Sequence, residues 1–273
     1  MAKHKNEKTK AVVKLPQQKT ELVDEFHRFV TLIFGEKKIG KSSLCSHFED
    51  ALFLPTEEGT KSLSVYQPQQ DDGTPMLLDS WDSFATWVTA FVKSKRFPTA
   101  VVDTVDGAYD LCYDHCCNEL GIESPSELGW GQGWDVIYRE FKRVFRKLFT
   151  CRKGVVLLSH CKSKELERWD SDDTIDQLQC TITGKCGKYV TGAADIWAYY
   201  GYAGNSRRLY LRGSQRLDAG TRLTEHFLQP DGTPLEFVPM GKSSEEGYRN
   251  LMAAFDNKLW LKKRKGGKGR KRK

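Results

Sequence analysis

A short glycine- and lysine-rich segment at residues 34–43 restricts the fold of this chain more than any other feature. It reads Phe-Gly-Glu-Lys-Lys-Ile-Gly-Lys-Ser-Ser and fits the pattern G-x-x-x-x-G-K-[S/T]. The apolar, β-branched run at residues 29–34 predicts a buried strand, and residues 42–50, which contain no glycine or proline, predict a helix. Strand, glycine loop and helix in this order predict a phosphate-binding loop rather than an ordinary surface turn.

The residue types of this loop suit a nucleoside triphosphate with Mg²⁺. Glycines at two positions let backbone N–H groups turn inward, and the start of a helix adds a partial positive charge. Lys41 is expected to reach the β- and γ-phosphates, and the Ser42 hydroxyl is expected to ligate Mg²⁺. The predicted nucleotide-binding residues are Gly35, Glu36, Lys37, Lys38, Ile39, Gly40, Lys41, Ser42 and Ser43.

A second apolar run ends in an acidic residue. Residues 99–104, Thr-Ala-Val-Val-Asp-Thr, predict a strand with Asp103 at its carboxyl end. A carboxylate at that edge of a parallel sheet can hold Mg²⁺ through water. Asp103 could instead cap the next helix, and Asp106 competes for the metal role. Given the phosphate loop upstream at an ordinary spacing, we favour Asp103 as the partner of Ser42 at the metal.

Charge is distributed unevenly along the 273 residues, a length that suits one large α/β domain or a core with a small appendage. Residues 262–273 hold nine Lys/Arg and no acid, and residues 1–20 carry a net charge of +5. The overall charge of +7 therefore leaves −7 for residues 21–261. Basic ends predict disordered arms that bind phosphate backbones without sequence preference, although a nuclear-localisation signal has the same composition.

The nucleotide-binding loop and the absence of a secretion signal predict a cytoplasmic location. No apolar run approaches the length needed to cross a membrane, and the polar N-terminal segment lacks the apolar core of a signal peptide. The eight cysteines are therefore expected to be free thiols in a reducing compartment. None has the paired C-x-x-C spacing of a structural zinc site.

The remaining sequence predicts further elements of the same α/β domain. Strands are predicted at 51–55, 76–78 and 154–159, helices at 81–91, 105–120, 134–149 and 244–261, and a hairpin at 195–213. Residues 162–181 are charged without a core pattern and predict a long mobile loop. The predicted organisation is a basic arm at 1–20, a core at 21–241, a C-terminal helix at 242–261 and a basic tail at 262–273.

These segments together resemble the RecA-like P-loop ATPases, and most closely the compact phage-encoded recombination ATPases that anneal single strands. The resemblance runs from about residue 30 to about residue 223. It rests on Gly-Glu-Lys-Lys-Ile-Gly-Lys-Ser at 35–42, Thr-Glu-Glu-Gly at 56–59, Val-Val-Asp-Thr at 101–104, Gly-Trp-Gly-Gln-Gly-Trp at 129–134 and Leu-Leu-Ser-His at 157–160. It implies a RecA-like core with a mainly parallel central sheet flanked by helices, plus a C-terminal β-hairpin and disordered basic tails.

The resemblance also implies roles for individual residues. The glutamate after the second strand would polarise the attacking water; Glu57 holds that place, and the adjacent Glu58 leaves the choice open. Lys41 and His160 complete the implied catalytic set, with His160 coupling the nucleotide state to the loop that follows. That loop, which is acidic as well as basic, and the tail would supply the DNA contacts Lys162, Lys164, Arg168, Lys262, Lys263, Arg264 and Lys265. Arg222 is implied at a subunit boundary.

The predicted function is ATP hydrolysis with Mg²⁺, stimulated by DNA, in phage recombination or replication. The protein would bind single-stranded DNA, promote strand annealing or exchange, and assemble into a homo-oligomeric ring or filament. A single-strand-binding protein is a further candidate partner, no membrane contact is expected, and the location would be the host cytoplasm if the protein is phage-encoded. One alternative is a P-loop small-molecule or nucleotide kinase, which would need an arginine-bearing lid over a second substrate; the sequence shows no compact lid, although residues 162–168 could be misread as one. Another is a non-catalytic, nucleotide-switched DNA-binding module, against which Glu57 argues.

Overall fold

The computed structural model describes residues 15–168, 173–182 and 184–260. The strands are β1 (Val30–Gly35), β2 (Ala51–Pro55), β3 (Thr99–Asp103), β4 (Gly154–Ser159), β5 (Cys161–Glu167), β6 (Thr174–Cys180), β7 (Ile196–Ala203), β8 (Ser206–Tyr210), β9 (Gly220–Thr221) and β10 (Phe237–Pro239). The helices are α1 (Lys41–Cys45), α2 (Trp81–Lys93), α3 (Val105–Leu120), α4 (Gln132–Thr150), α5 (Gly184–Ala193) and α6 (Ser244–Phe255).

An eight-stranded sheet forms the centre of the molecule. Its strands lie in the order β10-β8-β7-β1-β4-β3-β2, with β9 pairing β7. The five strands from β7 to β2 run parallel, whereas β8, β9 and β10 are antiparallel to their neighbours. This arrangement confirms the prediction of an α/β fold with a mainly parallel central sheet and a C-terminal hairpin, β7–β8.

Helices cover both faces of this sheet, and the burial of β1 reflects this. Every residue of β1 is buried, as is typical of a parallel strand with both faces covered. Leu32 and Phe34 point into a core shared with α2, α3, α4 and α5. Ile33, between them, points into the opposite core with α1, α6 and β8. The phosphate loop therefore leaves the sheet from a strand that is buried along its whole length, like β2, β3 and β4.

Several predicted elements are confirmed. The apolar face of α2 is buried, and Ser80 caps its first turn by accepting a hydrogen bond from the Ser83 amide. Helix α4 buries its apolar face and leaves its basic side chains outward. All eight cysteines are free thiols.

Four predictions from the sequence are wrong. The C-terminal helix was expected over residues 244–261, but α6 ends at Phe255 and residues 256–260 are not helical. The helix after the phosphate loop was expected over residues 42–50, but α1 ends at Cys45 and the chain turns into β2. Residues 76–78 form no strand, although the Leu78 amide donates one hydrogen bond to the Pro55 carbonyl at the end of β2. Residues 162–181 are not a long loop, because β5 and β6 pair antiparallel as a two-stranded hairpin outside the main sheet.

Some predictions fall outside the described residues. Residues 1–14 of the basic arm predicted at 1–20, and the whole basic tail predicted at 262–273 with Lys262, Lys263, Arg264 and Lys265, belong to this group. The proposed boundaries between arm, core, helix and tail stay predictions. In the described part of the chain, no helix combines the length and apolar character needed to cross a bilayer.

Candidate nucleotide-binding and catalytic site

The phosphate loop is shaped by two glycines, one required by close backbone packing and one by its backbone conformation. A β-carbon at Gly35 would lie 2.1 Å from the Tyr200 carbonyl oxygen, so only glycine fits where β1 passes β7. Gly40 has a φ of +108°, a conformation that L side chains rarely adopt. Between them, Ile39 is buried and anchors the loop, while Lys37 and Lys38 are exposed.

Lys41 lies buried at the start of α1 with its side chain folded back over the loop. Its Nζ donates hydrogen bonds to the carbonyl oxygens of Gly35, at 2.8 Å, and Glu36, at 2.9 Å. Burial lowers the pKa of Lys41, and the neighbouring Cys161 and Asp103 oppose the decrease. The ammonium group is thus positioned beside the loop, among acidic neighbours that favour its charged form.

Asp103 and Ser42 face each other across Gly59. A β-carbon at Gly59 would lie 3.7 Å from both Asp103 Oδ2 and Ser42 Oγ, so a side chain there would fill the space between them. Asp103 is 5% exposed, and its Oδ2 has no hydrogen-bond partner. Burial raises the pKa of Asp103, and Ser42 opposes the increase. A buried carboxylate oxygen without a partner next to a hydroxyl suits Mg²⁺, which prefers oxygen ligands.

Glu57 is held by two side chains that directly follow β3 and β4. Thr104 Oγ1 donates to Glu57 Oε1 at 2.6 Å, and His160 Nε2 lies 3.1 Å from Glu57 Oε2. Burial alone would raise the pKa of Glu57, but these two hydrogen bonds and the charge of His160 outweigh it. The pKa of Glu57 is lowered as a result, so the group remains a carboxylate near neutral pH.

Glu58 differs from Glu57 in geometry, although both border the cleft. Its carboxylate pairs with Lys61 at 2.6 Å, and both of these side chains are more than 60% exposed. The cleft has a volume of about 310 Å³ and is also bordered by the phosphate loop, Asp103 and His160. Of the two glutamates, only Glu57 is fixed by groups at the carboxyl ends of β3 and β4.

Asp106 positions His160 rather than facing the metal pocket. Its Oδ2 accepts from the His160 amide at 3.0 Å, and its Oδ1 accepts from Ser159 Oγ at 3.1 Å. Burial raises the pKa of Asp106, and these two hydrogen bonds oppose the increase. Because the carboxylate of Asp106 is already engaged, Asp103 is the acid left facing Ser42.

Residues that the sequence analysis missed complete the site. Thr56 Oγ1 accepts from the Thr104 amide at 2.9 Å and donates to the Thr104 carbonyl at 2.8 Å, which joins the ends of β2 and β3. Arg207 Nη1 lies 3.3 Å from the position of a β-carbon at Gly40, beside the loop. A threonine before a glutamate was a visible signal, whereas no local pattern indicates that Arg207 approaches a loop 167 residues earlier.

The predicted DNA contacts on the hairpin lie on one of its faces. Lys162 and Lys164 alternate along β5 with Ser163, Glu165 and Glu167, so the two sets project to opposite sides. Asp176 is paired with Glu165 and shares the acidic face. The mixed charge of this segment is therefore sorted into a basic and an acidic face, and Arg168 follows directly after β5.

Arg222 contacts its own subunit in this structure. Its Nη2 donates to the Gly192 carbonyl at 2.7 Å, and the residue is exposed. Its placement at a subunit boundary stays a prediction.

A surface of aromatic and basic side chains lies between α4 and α5, and we call it the aromatic groove. Two adjoining depressions of about 560 and 470 Å³ share Tyr138 and Lys185. The aromatic members are Trp130, Trp134, Tyr138 and Tyr189, and the basic members are Lys142, Lys185 and Lys188. Trp130 is fully exposed and has a φ of +60° between two glycines.

The charges of the aromatic groove are almost all positive. Lys142 Nζ lies 5.4 Å from the ring centroid of Tyr138 and 5.5 Å from that of Tyr189. Lys185 pairs with Asp135, the acidic residue that lines the groove, and Lys188 is exposed on the next turn of α5. The groove therefore offers stacking faces and cations side by side.

Comparison with known proteins adds one family match. A family model described as an AAA domain matches residues 27–223, more than two thirds of the chain. The matched range contains the phosphate loop, both glutamates, Asp103, His160 and the hairpin. None of the curated proteins compared with the chain matches it.

Proposed function

Because the chain belongs to the AAA domain family, whose AAA-type P-loop NTPases are in general ATPases, we propose that it hydrolyses ATP with Mg²⁺ and couples this to single-stranded DNA. The observation that carries the hydrolytic part is the geometry of Glu57. Its carboxylate is kept ionised by Thr104 and His160 and borders the same cleft as Lys41 and Asp103. A simple nucleotide switch has no need of a carboxylate held in this way.

Each residue of the cleft has a distinct task in this proposal. Glu57 accepts a hydrogen bond from the attacking water and orients it in line with the γ-phosphorus. Lys41 exchanges its two backbone carbonyls for phosphate oxygens and stabilises the charge that develops on them. Ser42 and Asp103 would hold Mg²⁺, which neutralises charge on the β- and γ-phosphates. His160 keeps the carboxylate of Glu57 in place and ionised.

The aromatic groove supports single-stranded DNA as the second ligand. Proteins that bind single strands without sequence preference combine stacking aromatics with cations that follow the phosphate backbone. Trp130 and Trp134 offer exposed rings, while Lys142 and Lys188 lie farther along the same groove. The basic face of β5, with Lys162 and Lys164, and the tail residues Lys262–Lys265 would add further phosphate contacts.

The biological setting is the finer part of the proposal. Strand annealing or exchange during phage recombination or replication would use a ring or filament of subunits, with Arg222 at the boundary between them. A single-strand-binding protein would present or occupy the same DNA. The support for this setting is that a nucleotide cleft and a groove of aromatic and basic side chains occur on one domain.

Phosphate release from ATP, measured with and without a single-stranded oligonucleotide, tests the proposed function directly. We expect Mg²⁺-dependent release that increases when DNA is added. Release of ADP only in the presence of a phosphoryl acceptor would instead favour a kinase. Tight ATP binding without release would favour the non-catalytic module.

A stacking variant tests the DNA part separately. Trp130→Ala should weaken binding of a labelled oligonucleotide roughly 5- to 150-fold in anisotropy, because stacking contributes about 1–3 kcal/mol per base. Tyr66→Ala is the matched control, since Tyr66 is also an exposed aromatic but lies beside β2, away from the groove. Equal affinity of the two variants would remove the aromatic groove from the proposal.

A further inference from the structure

Two cysteines face each other at the base of the β5–β6 hairpin. Cys161 and Cys180 are directly opposite in the antiparallel ladder, and each is the end residue of its strand. The Thr181 amide donates to the His160 carbonyl at 3.0 Å, so the neighbouring pair, His160 and Thr181, is joined by a hydrogen bond. Because the two kinds of pair alternate, Cys161 and Cys180 occupy a non-hydrogen-bonded pair.

This position suits a disulfide bond. Residues of a non-hydrogen-bonded pair have Cα atoms about 4.5 Å apart and side chains on the same face. Disulfides bridge Cα separations of roughly 4.4–6.8 Å, so the backbone at this pair already meets the requirement. Both thiols are free in this structure.

The two thiols differ in access. Cys161 is partly exposed and lies near Lys41 and Glu36, at the edge of the nucleotide cleft. Cys180 is 5% exposed. Burial raises the pKa of both thiols, that of Cys180 to about 12, so oxidation is expected to be slow at neutral pH and faster as the pH rises.

We propose that Cys161 and Cys180 form a reversible cross-strand disulfide when the protein meets a small-molecule disulfide such as oxidised glutathione. The Cys161 thiolate attacks one sulfur of oxidised glutathione, forms a mixed disulfide and releases one glutathione thiolate. The Cys180 thiolate then attacks the Cys161 sulfur and releases the second glutathione thiolate. Two protein thiols are oxidised, one glutathione disulfide is reduced, and the two protons pass to solvent or to the released thiolates.

The bond would affect hydrolysis through His160, an effect that rests on the proposed ATPase function. Cys161 follows His160, whose ring contacts Glu57 and whose amide is held by Asp106. Fixing the Cys161 side chain to Cys180 constrains the backbone next to this contact. Because small displacements of positioning groups lower turnover strongly, we expect kcat to fall about tenfold on oxidation and to recover with dithiothreitol.

The experiment treats the full chain with oxidised glutathione at mildly alkaline pH and compares four proteins. These are the wild type, Cys161→Ser, Cys180→Ser and the control Cys151→Ser, which removes the other partly exposed cysteine. Intact mass and peptide mapping show whether a crosslink forms and where, and ATP turnover is measured before and after reduction. The wild type and Cys151→Ser should form the Cys161–Cys180 crosslink and lose turnover reversibly, whereas the two hairpin variants should not.

The mass measurement keeps this inference separable from the ATPase proposal. A folded wild type that stops at a glutathione adduct on Cys161, or forms no Cys161–Cys180 crosslink, would overturn the thiol pair. A crosslink with unchanged turnover would overturn its effect on hydrolysis. If reduced protein hydrolyses no ATP at all, the ATPase proposal fails, and the crosslink still decides whether the pair exists.

Discussion

The nucleotide cleft and the β5–β6 hairpin are neighbours, but they depend on the sequence in different ways. The cleft is built at the carboxyl ends of buried parallel strands, and its residues follow β1, β2, β3 and β4 directly. The hairpin begins one residue after β4 and lies outside the main sheet; its two strands pair with each other, and Leu178 also pairs with Leu217. The ends of the strands set the positions of the cleft residues, whereas the position of each hairpin side chain depends on which face of the strand pair it occupies.

The largest effect on turnover is expected from substituting one of the two adjacent glutamates that border the cleft. Glu57→Gln should lower kcat about 10²-fold or more with little change in nucleotide affinity, because orienting water acts on the transition state. Glu58→Gln, the matched control, should change kcat less than about fivefold, since its exposed pair with Lys61 contributes little. Phosphate release at saturating ATP and fluorescent-nucleotide binding measure both effects. The reverse ranking would assign the role to Glu58.

Lys41→Ala should lower hydrolysis about 10²- to 10³-fold, because it removes a positioned charge that stabilises the transition state. Circular dichroism is needed alongside phosphate release, since Lys41 is buried and its loss must not be confused with unfolding. The exposed Lys95→Ala serves as a control, since Lys95 lies before the start of β3 and outside the cleft lining. A folded Lys41→Ala protein with wild-type turnover would contradict the phosphate-loop assignment.

A smaller effect, on pH dependence, is expected at the contact between cleft and hairpin. His160→Gln removes a hydrogen bond and a charge that lower the pKa of Glu57, so that pKa should rise. Activity that requires ionised Glu57 would then be lost at a higher pH as the solution is acidified. The acid side of the kcat/KM profile should therefore move to higher pH in His160→Gln and stay in place in Glu58→Gln. An unmoved profile would mean that another group controls the acid limb.

The smallest effect should separate the two faces of the hairpin. Lys164→Gln should reduce the steepness of log K against log salt by about 0.7 for single-stranded DNA, the value of one phosphate contact. Glu165→Gln, one residue along on the opposite face, should leave the slope unchanged. Anisotropy over a salt series measures both. Equal slopes for the wild type and Lys164→Gln would exclude this face as a contact.

The cleft residues that belong to a single short segment could be predicted from the sequence of that segment. The phosphate loop, the strand ending at Asp103 and the glutamates after β2 were all predicted, and the structure brings them around one cleft. Their pattern is local because a buried parallel strand is apolar throughout and its first polar residue marks the sheet edge. The chemical roles of these residues stay predictions.

The hairpin could not be predicted in the same way, because its periodicity is carried by charge rather than by apolar residues. Lys162 and Lys164 alternate with Glu165 and Glu167, a pattern that is also common in exposed loops. Only the pairing with β6 shows that this alternation belongs to a strand with a basic and an acidic face. The approach of Arg207 to the phosphate loop depends on the order of strands in the sheet, which no single segment records.

The pair of hydrogen bonds between Thr56 and Thr104 gives the cleft one rigid wall. Since Thr56 both donates to and accepts from the backbone of Thr104, the ends of β2 and β3 cannot slide past each other without breaking both bonds. The opposite wall is held by a side chain from α3 instead: Asp106 accepts hydrogen bonds from Ser159 Oγ and from the His160 amide, and His160 alone separates the end of β4 from the start of β5. A displacement of His160 at this wall would therefore also displace the start of the hairpin.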